Sequence, residues 1–169
     1  MVMAVRHEYC LDLSEFAPSD GAFNASELQL RAAMPSDMPA LAELMIDAYR
    51  GTIDYDGETI EDAIGEVNAY LSGQRGGAPL LRESQLAFEE GILVSACLVA
   101  DWHERQQPVI AYVMTRARSK NKGLARRVLV STLQKLQGEG HAGVGAVITE
   151  GNSASEMLFF RLGFQKVSA

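Results

Sequence analysis

The sequence contains few of the residues that build metal sites or disulfide-bonded domains. It has two cysteines, Cys10 and Cys97, and three histidines that are scattered along its 169 residues. A zinc site needs paired Cys and His spacing, and a small disulfide scaffold needs several cysteine pairs. We therefore predict no metal site and two reduced thiols. Reduced thiols are usual in the cytoplasm, where we expect this protein to be located.

Long apolar runs and an excess of basic residues are also missing. The longest apolar stretch, Gly91 to Ala100, is about half of the ~20 residues that a membrane-spanning helix needs. No apolar segment of a secretory signal follows Arg6 and His7. The net charge is −7, whereas nucleic-acid-binding domains are typically basic. We therefore predict neither a membrane nor a nucleic-acid partner.

The chain has the length of one ordinary domain, and hydrophobic periodicity predicts the order of its elements. Residues 1–25 are interpreted as an N-terminal extension that ends in a loop, and residues 26–169 as a single domain. The predicted elements are strands at 27–33, 85–88, 92–99, 108–115, 143–149 and 164–167, and helices at about 39–49, 59–71, 124–136 and 153–162. This order, β-α-α-β-β-β-α-β-α-β, predicts an α/β or α+β sheet domain.

A basic loop joins a predicted apolar strand to the strongest predicted helix. It reads Lys120-Asn121-Lys122-Gly123-Leu124-Ala125-Arg126, and residues 116–127 include six cations in an otherwise acidic chain. Backbone N–H groups and the helix dipole attract a phosphate to such a helix start. Gly123 leaves room for its close approach. The pattern indicates a site for a multiply charged anion, and its alternative is a solvated helix start with a run of surface charge.

The loop resembles the [Gln/Arg]-x-x-Gly-x-[Gly/Ala] loop of the GNAT superfamily of acyl-CoA-dependent N-acetyltransferases. Two further segments agree in the same order. Asn152 to Phe164 is similar to the family's N-x-x-A-x-x-L-Y-x-x-x-G-F signature, and Leu30 to Leu41 is similar to its opening strand and helix. The resemblance covers roughly residues 28–167. It implies a mixed, mostly antiparallel central sheet flanked by helices.

The same resemblance implies an activity, a co-substrate and the residues that hold it. The activity is direct transfer, in a ternary complex, of an acetyl group from acetyl-CoA to a small-molecule or peptide amine, by a monomer or homodimer. In the family, the end of the central strand holds the acyl-pantetheine arm, loop amides hold the pyrophosphate, and an asparagine contacts the arm. The implied cofactor-binding residues are Val113, Met114, Thr115, Lys120, Asn121, Lys122, Gly123, Leu124, Ala125, Arg126 and Asn152, with Phe159 as a further contact to the arm.

Two departures from the family pattern concern proton transfer. Phe159 occupies the place of a tyrosine that commonly protonates the CoA thiolate, and Val147 the place of a common glutamate. Neither side chain can transfer a proton. A base acting through water could be Glu150, Asp101 or the Tyr112 hydroxyl, and Tyr112 and Glu150 are the catalytic candidates that we name. The alternative function is a non-catalytic acyl-CoA-binding module.

An acidic cluster lies between Arg50 and Arg75, a segment that contains six carboxylates and no Lys or Arg. It lacks the late Glu of a calcium-binding loop. One interpretation is a solvated loop and helix face. In the family this region often borders the acceptor pocket, so we predict that Asp54, Asp56 and Glu58 bind the substrate. They would draw a cationic amine toward the opening between the strand that ends at Thr115 and the strand that begins at Gly143.

Overall fold

The computed structural model describes residues 3–18 and 28–167. The strands and helices follow the chain in this order: β1 Arg6–Asp12, β2 Leu28–Ala32, α1 Met38–Tyr49, α2 Ile60–Leu71, β3 Gln85–Glu89, β4 Ile92–Trp102, β5 Gln107–Thr115, α3 Leu124–Gly138, β6 Gly143–Thr149, α4 Ser153–Arg161 and β7 Gln165–Lys166. Among the described residues, no helix combines the length and the apolar character needed to cross a lipid bilayer.

Seven strands form one mixed sheet in the order β2-β3-β4-β5-β6-β1-β7. Every neighbouring pair is antiparallel except β5 and β6, which are parallel. One apolar core packs α1 and α2 against one face of the sheet, and a second core packs α3 and α4 against the other. The predicted fold class, a mostly antiparallel central sheet flanked by helices, is confirmed.

Helix α2 begins where the sequence places a capping residue. The Thr59 hydroxyl accepts a hydrogen bond from the Asp62 amide at 3.2 Å, and the Asp62 carboxylate accepts one from the Thr59 amide at 2.9 Å. This reciprocal pair satisfies two N–H groups at the helix start. The helix then buries Ala63, Val67 and Tyr70 against the sheet, and this direction places its opposite flank beside the site described below.

Strand β1 corrects the interpretation of the first 25 residues, for which no strand was predicted. It pairs with β6 along its whole length, from Arg6 opposite Thr149 to Asp12 opposite Gly143, and it also pairs with β7. Its side chains are mostly half-buried rather than alternately buried and exposed, which weakens the period-two signal. The predicted domain boundary after residue 25 and the predicted strand residue Glu27 lie outside the described residues.

Strands β5 and β6 separate shortly after they meet. Their pairing is limited to Val109 with Gly145 and Ile110 with Ala146. At this point β5 contains a β-bulge, because Leu98 of β4 pairs with Tyr112 while Val99 pairs with Ile110, which leaves Ala111 as an extra residue. A bulge bends its strand. Beyond Ile110, the edge of β5 that faces β6 is therefore open.

Candidate functional site

A cavity of about 1000 Å³ occupies the gap between the separated strands. It extends from α1 and α2 on one side of the sheet to the start of α4 on the other. Residues from every surrounding element border it, among them Tyr49 of α1, Glu66 of α2, Tyr112 of β5, Val147 of β6, and Asn152 and Phe159 at α4. The gap thus joins the two faces of the sheet.

The basic loop ends in a helix N-terminus that carries no side-chain cap. Gly123 is the N-cap residue of α3 and has a left-handed backbone with φ of 78°, and Asn121 is left-handed as well, with φ of 64°. Residues 121–123 are exposed. Glycine adopts this conformation without steric cost, and the amides of the first helical turn point away from the helix along its axis. The loop can therefore present N–H groups to an anion.

Lys120 does not point into this loop. Its ammonium donates a hydrogen bond to the Ala48 carbonyl oxygen at 2.7 Å, near the C-terminal end of α1. The Ala117 amide donates to the Asp47 carboxylate at 2.7 Å, so the segment after β5 is attached to α1 twice. Lys122 is exposed, and Arg126 in the first turn of α3 borders a second cavity of about 620 Å³. Lys120 thus fixes the loop by its side chain.

The end of β5, which the family resemblance implies as a cofactor-binding segment, offers a backbone edge. Residues Val113, Met114 and Thr115 pair on one side with β4, and their other side faces the gap to β6. Val113 borders the cavity, whereas the side chains of Met114 and Thr115 are buried. Any contact that Met114 and Thr115 make with a ligand in the gap must come from their backbone groups.

Asn152 brings a predicted cofactor residue and a predicted acceptor residue together. Its amide nitrogen donates to the Asp54 carboxylate at 2.9 Å, and its amide oxygen caps α4 by accepting from the Ser155 N–H at 3.2 Å. Asp54 and Glu58 border the cavity, but Asp56 is exposed and is not among the lining residues. Two of the three predicted acceptor carboxylates therefore face the site.

The two positions that depart from the family pattern both lie at the cavity. Phe159 is 5% exposed and packs edge to face on Phe164, with 4.9 Å between ring centroids. Val147 is 44% exposed. Because neither side chain ionises, any proton transfer in the gap requires a different residue.

Tyr112, Glu66 and Arg75 form a hydrogen-bonded group at the cavity. The Tyr112 hydroxyl donates to one oxygen of Glu66, and Arg75 donates to both oxygens, at 2.8 and 2.7 Å. The hydrogen bonds from Arg75 lower the pKa of Glu66, against its burial, which raises it. Burial and the neighbouring Glu66 carboxylate raise the pKa of Tyr112. At neutral pH the group is thus a neutral phenol on an ionised carboxylate.

The other candidate bases lie elsewhere. Glu150 is 64% exposed, does not border the cavity and accepts a hydrogen bond from the His7 ring of β1 at 2.9 Å. Asp101 also lies outside the cavity lining, 3.4 Å from the His103 ring. Of the predicted bases only Tyr112 borders the gap, and its partners Glu66 and Arg75 were missed as a functional pair.

Comparison with known families supports the resemblance. A family model described as FR47-like protein matches residues 91–169. No curated protein matches the chain. The match begins just before β4 and includes the bulged strand, the basic loop, β6 and α4. It therefore covers β5, β6 and α4 at the gap, whereas α1, α2, the loops that follow them and Arg6 of β1 lie outside the match.

Solved structures share the fold at low sequence identity. A GCN5-related N-acetyltransferase from Sphaerobacter thermophilus has a TM-score of 0.71 and 17% identity over 96% of this chain and 48% of its own, so this chain spans about half its length. YncA from Salmonella typhimurium, solved with its cofactor acetyl-CoA, has a TM-score of 0.65 and 24% identity, covering 85% and 82%. An N-acetyltransferase from Staphylococcus aureus has a TM-score of 0.64 and 19% identity, covering 85% and 86%.

Proposed function

We propose that this chain is a member of the GNAT superfamily and transfers an acetyl group from acetyl-CoA to an amine. Its fold and the FR47-like match of residues 91–169 support this proposal. The observation that carries the proposal is the separation of β5 from β6 beyond Ile110. It leaves an open strand edge that leads, through residues 116–123, to an uncapped helix N-terminus. A long ligand with amide groups in its arm and phosphates beyond it matches that sequence of binding groups.

The residues present fit acetyl-CoA. The open edge at Val113 suits the amides of the pantetheine arm, since unpaired strand groups both donate and accept. The backbone from Asn121 to Arg126, with the left-handed Gly123, suits the pyrophosphate, and the exposed Lys122 adds positive charge. When bound, acetyl-CoA supplies a reactive thioester. Lys120 contributes indirectly by attaching the loop to α1.

The shape of the cavity supports direct transfer. It reaches Glu66 of α2 on one face of the sheet and Ser155 of α4 on the other. An amine can therefore enter from the α1–α2 side while the thioester lies in the gap, and no covalent enzyme intermediate is needed. Holding the two reactants together can contribute several kcal/mol to the rate. The carboxylates of Asp54 and Glu58 favour a small-molecule or peptide amine that carries a positive charge.

A two-stage experiment tests the proposal. First, thermal unfolding is followed during titration with acetyl-CoA, and a ligand at about 100 times its Kd should stabilise the fold by roughly 2.7 kcal/mol. Acetate and adenosine serve as controls because each lacks the pantetheine arm. Second, release of CoA thiol is measured with a panel of polyamines, aminoglycosides, amino acids and short peptides with a free N-terminus.

The outcomes separate the candidate functions. Stabilisation followed by thiol release with at least one amine supports the transferase. Stabilisation without release of CoA thiol in the presence of any amine favours the non-catalytic acyl-CoA-binding module. Phe159 and Val147 support this alternative because neither side chain transfers a proton. The absence of any stabilisation contradicts both functions.

A further inference from the structure

We infer that Tyr112 is the residue that accepts the proton of the attacking amine and passes its own proton to Glu66, with Arg75 as the positioning residue. This inference rests on the proposed acetyl transfer and names the proton acceptor that the departures from the family pattern leave open. Tyr112 is the only ionisable side chain on the two separated strands, β5 and β6, both of which are described throughout.

The β-bulge directs Tyr112 to the side of the sheet from which the acceptor enters. In regular alternation, Ile110 and Tyr112 would share a face. The extra residue Ala111 changes this, because Ile110 packs in the core formed with α3, whereas Ala111 and Tyr112 both pack in the core formed with α1 and α2. Bulges often re-aim a side chain next to a site. The phenol thereby meets Glu66 of α2.

The hydrogen-bond direction suits a proton acceptor. The phenol proton is donated to Glu66, so the lone pairs of the Tyr112 oxygen remain to receive an N–H from the acceptor. As nitrogen attacks the thioester carbon, the N–C bond forms, and the C–S bond breaks with its electron pair leaving on sulfur. The amine proton moves to the Tyr112 oxygen while the phenol proton moves to Glu66. The thiolate then takes a proton from water, and Glu66 returns its proton to solvent through the open cavity.

Arg75 holds the Glu66 carboxylate in one orientation through two parallel hydrogen bonds. Glu66 also interacts electrostatically with Arg6 of β1 and Tyr49 of α1, and Asp62, one turn earlier on α2, borders the same cavity. Arg6 also lowers the pKa of Glu66. Both cations therefore keep the carboxylate ionised, so that it can take up a proton.

The test compares Tyr112→Phe and Glu66→Gln with the parent at saturating acetyl-CoA. We expect kcat to fall by about 100-fold or more in each, the size of a lost general base, with acetyl-CoA affinity unchanged. The Tyr112 ring should keep its edge-to-face contact with Tyr70, which has a centroid distance of 6.0 Å. Tyr9→Phe, the same change at a half-buried tyrosine of β1 that does not border the cavity, is the matched control and should retain the parental rate.

Arg75→Gln supplies a measurement that a purely structural role of Arg75 would leave unchanged, the pH dependence of kcat. The acid limb of the kcat profile should shift to higher pH, because Glu66 loses the partner that lowers its pKa. Parental rates in Tyr112→Phe and Glu66→Gln, or an unmoved acid limb, would overturn the relay while leaving the transferase in place. If the parent binds acetyl-CoA but releases no thiol with any amine or with water, the relay and the proposed transfer both fail. Should Glu66→Gln not fold, Tyr112→Phe decides the question alone.

Discussion

The two ends of the proposed active site, the segment 113–126 and the group of Tyr112, Glu66 and Arg75, are built in different ways. At one end, a continuous segment from Val113 to Arg126 offers mostly backbone groups, and its conformation depends on Gly123 and on the start of α3. At the other end, α2, β5 and the loop after α2 each contribute one side chain, Glu66, Tyr112 and Arg75. A site built from backbone groups tolerates changes of side chain, so the Lys120 side chain can bind the Ala48 carbonyl oxygen of α1 instead of the cofactor. A side-chain site depends on every member of the group.

The largest effect is expected in the backbone part of the site, at Gly123. Gly123→Glu places a negative charge at the helix start and a side chain at φ of 78°. We expect acetyl-CoA affinity to fall at least tenfold, which corresponds to about 1.4 kcal/mol, as measured by isothermal titration calorimetry. Gly123→Ala separates the two causes, because it keeps the left-handed strain of about 1–2 kcal/mol and adds no charge. Unchanged affinity in Gly123→Glu would place the cofactor elsewhere.

At the side-chain end, Arg75→Gln should lower stability in a pH-dependent way. The pKa of Glu66 is lowered in the folded state, so its ionised form stabilises the fold above its unfolded pKa of about 4.3. That contribution is lost as pH falls through the lower, folded pKa. We therefore expect a loss of about 1 kcal/mol or less at pH 7 that disappears in acid, measured by urea unfolding.

The matched control for this prediction is Arg82→Gln. It breaks the pair with Glu139, in which the side chains are 83% and 47% exposed. Pairs as exposed as this one contribute little to stability. An equal loss of stability in both variants at pH 7 would show that the pair of Arg75 and Glu66 contributes no more to stability than an exposed pair.

A smaller effect is expected from the cavity-lining carboxylates of Asp54 and Glu58, because they attract the acceptor from a distance. Asp54→Asn with Glu58→Gln should raise KM for a cationic acceptor severalfold at low salt, and the effect should shrink as screening sets in over about 8 Å at physiological salt. Asparagine at position 54 can still accept the hydrogen bond from Asn152. Asp56→Asn with Glu61→Gln removes the same two charges at exposed positions outside the cavity lining, and an equal effect there would assign the attraction to net charge alone.

Phe159→Leu should have the smallest effect on chemistry. The ring transfers no proton, so the single-turnover rate at saturating acetyl-CoA should change little. Stability should fall by about 1 kcal/mol, because Leu fills the contact with Phe164 less well. Stopped-flow thiol release and thermal unfolding measure the two quantities. A large loss of rate with unchanged affinity would contradict the view of Phe159 as a packing residue.

Sequence patterns predicted what local residues determine and missed what distant contacts determine. The cap at Thr59 and the helix start after Gly123 depend on neighbours within four residues, and both are present. Glu66 sits between the buried positions Ala63 and Val67 on α2, which could have marked it as half-buried. Its partner Tyr112 is 46 residues away, and only the bulge turns that side chain toward it. A bulge leaves no clear signal in hydrophobic periodicity.

Strand β1 has a consequence for how the chain is assembled. Its residues pair with β6 more than 130 positions later, and it lies between β6 and β7. Such distant pairing closes late, because a long loop must be ordered first. Until β1 pairs, β6 has no neighbour on that side and β7 lacks the strand with which it pairs. A chain lacking residues 3–18 would leave this edge of β6 open, and a free peptide of sequence RHEYCLD has the hydrogen-bonding groups to pair with it in trans.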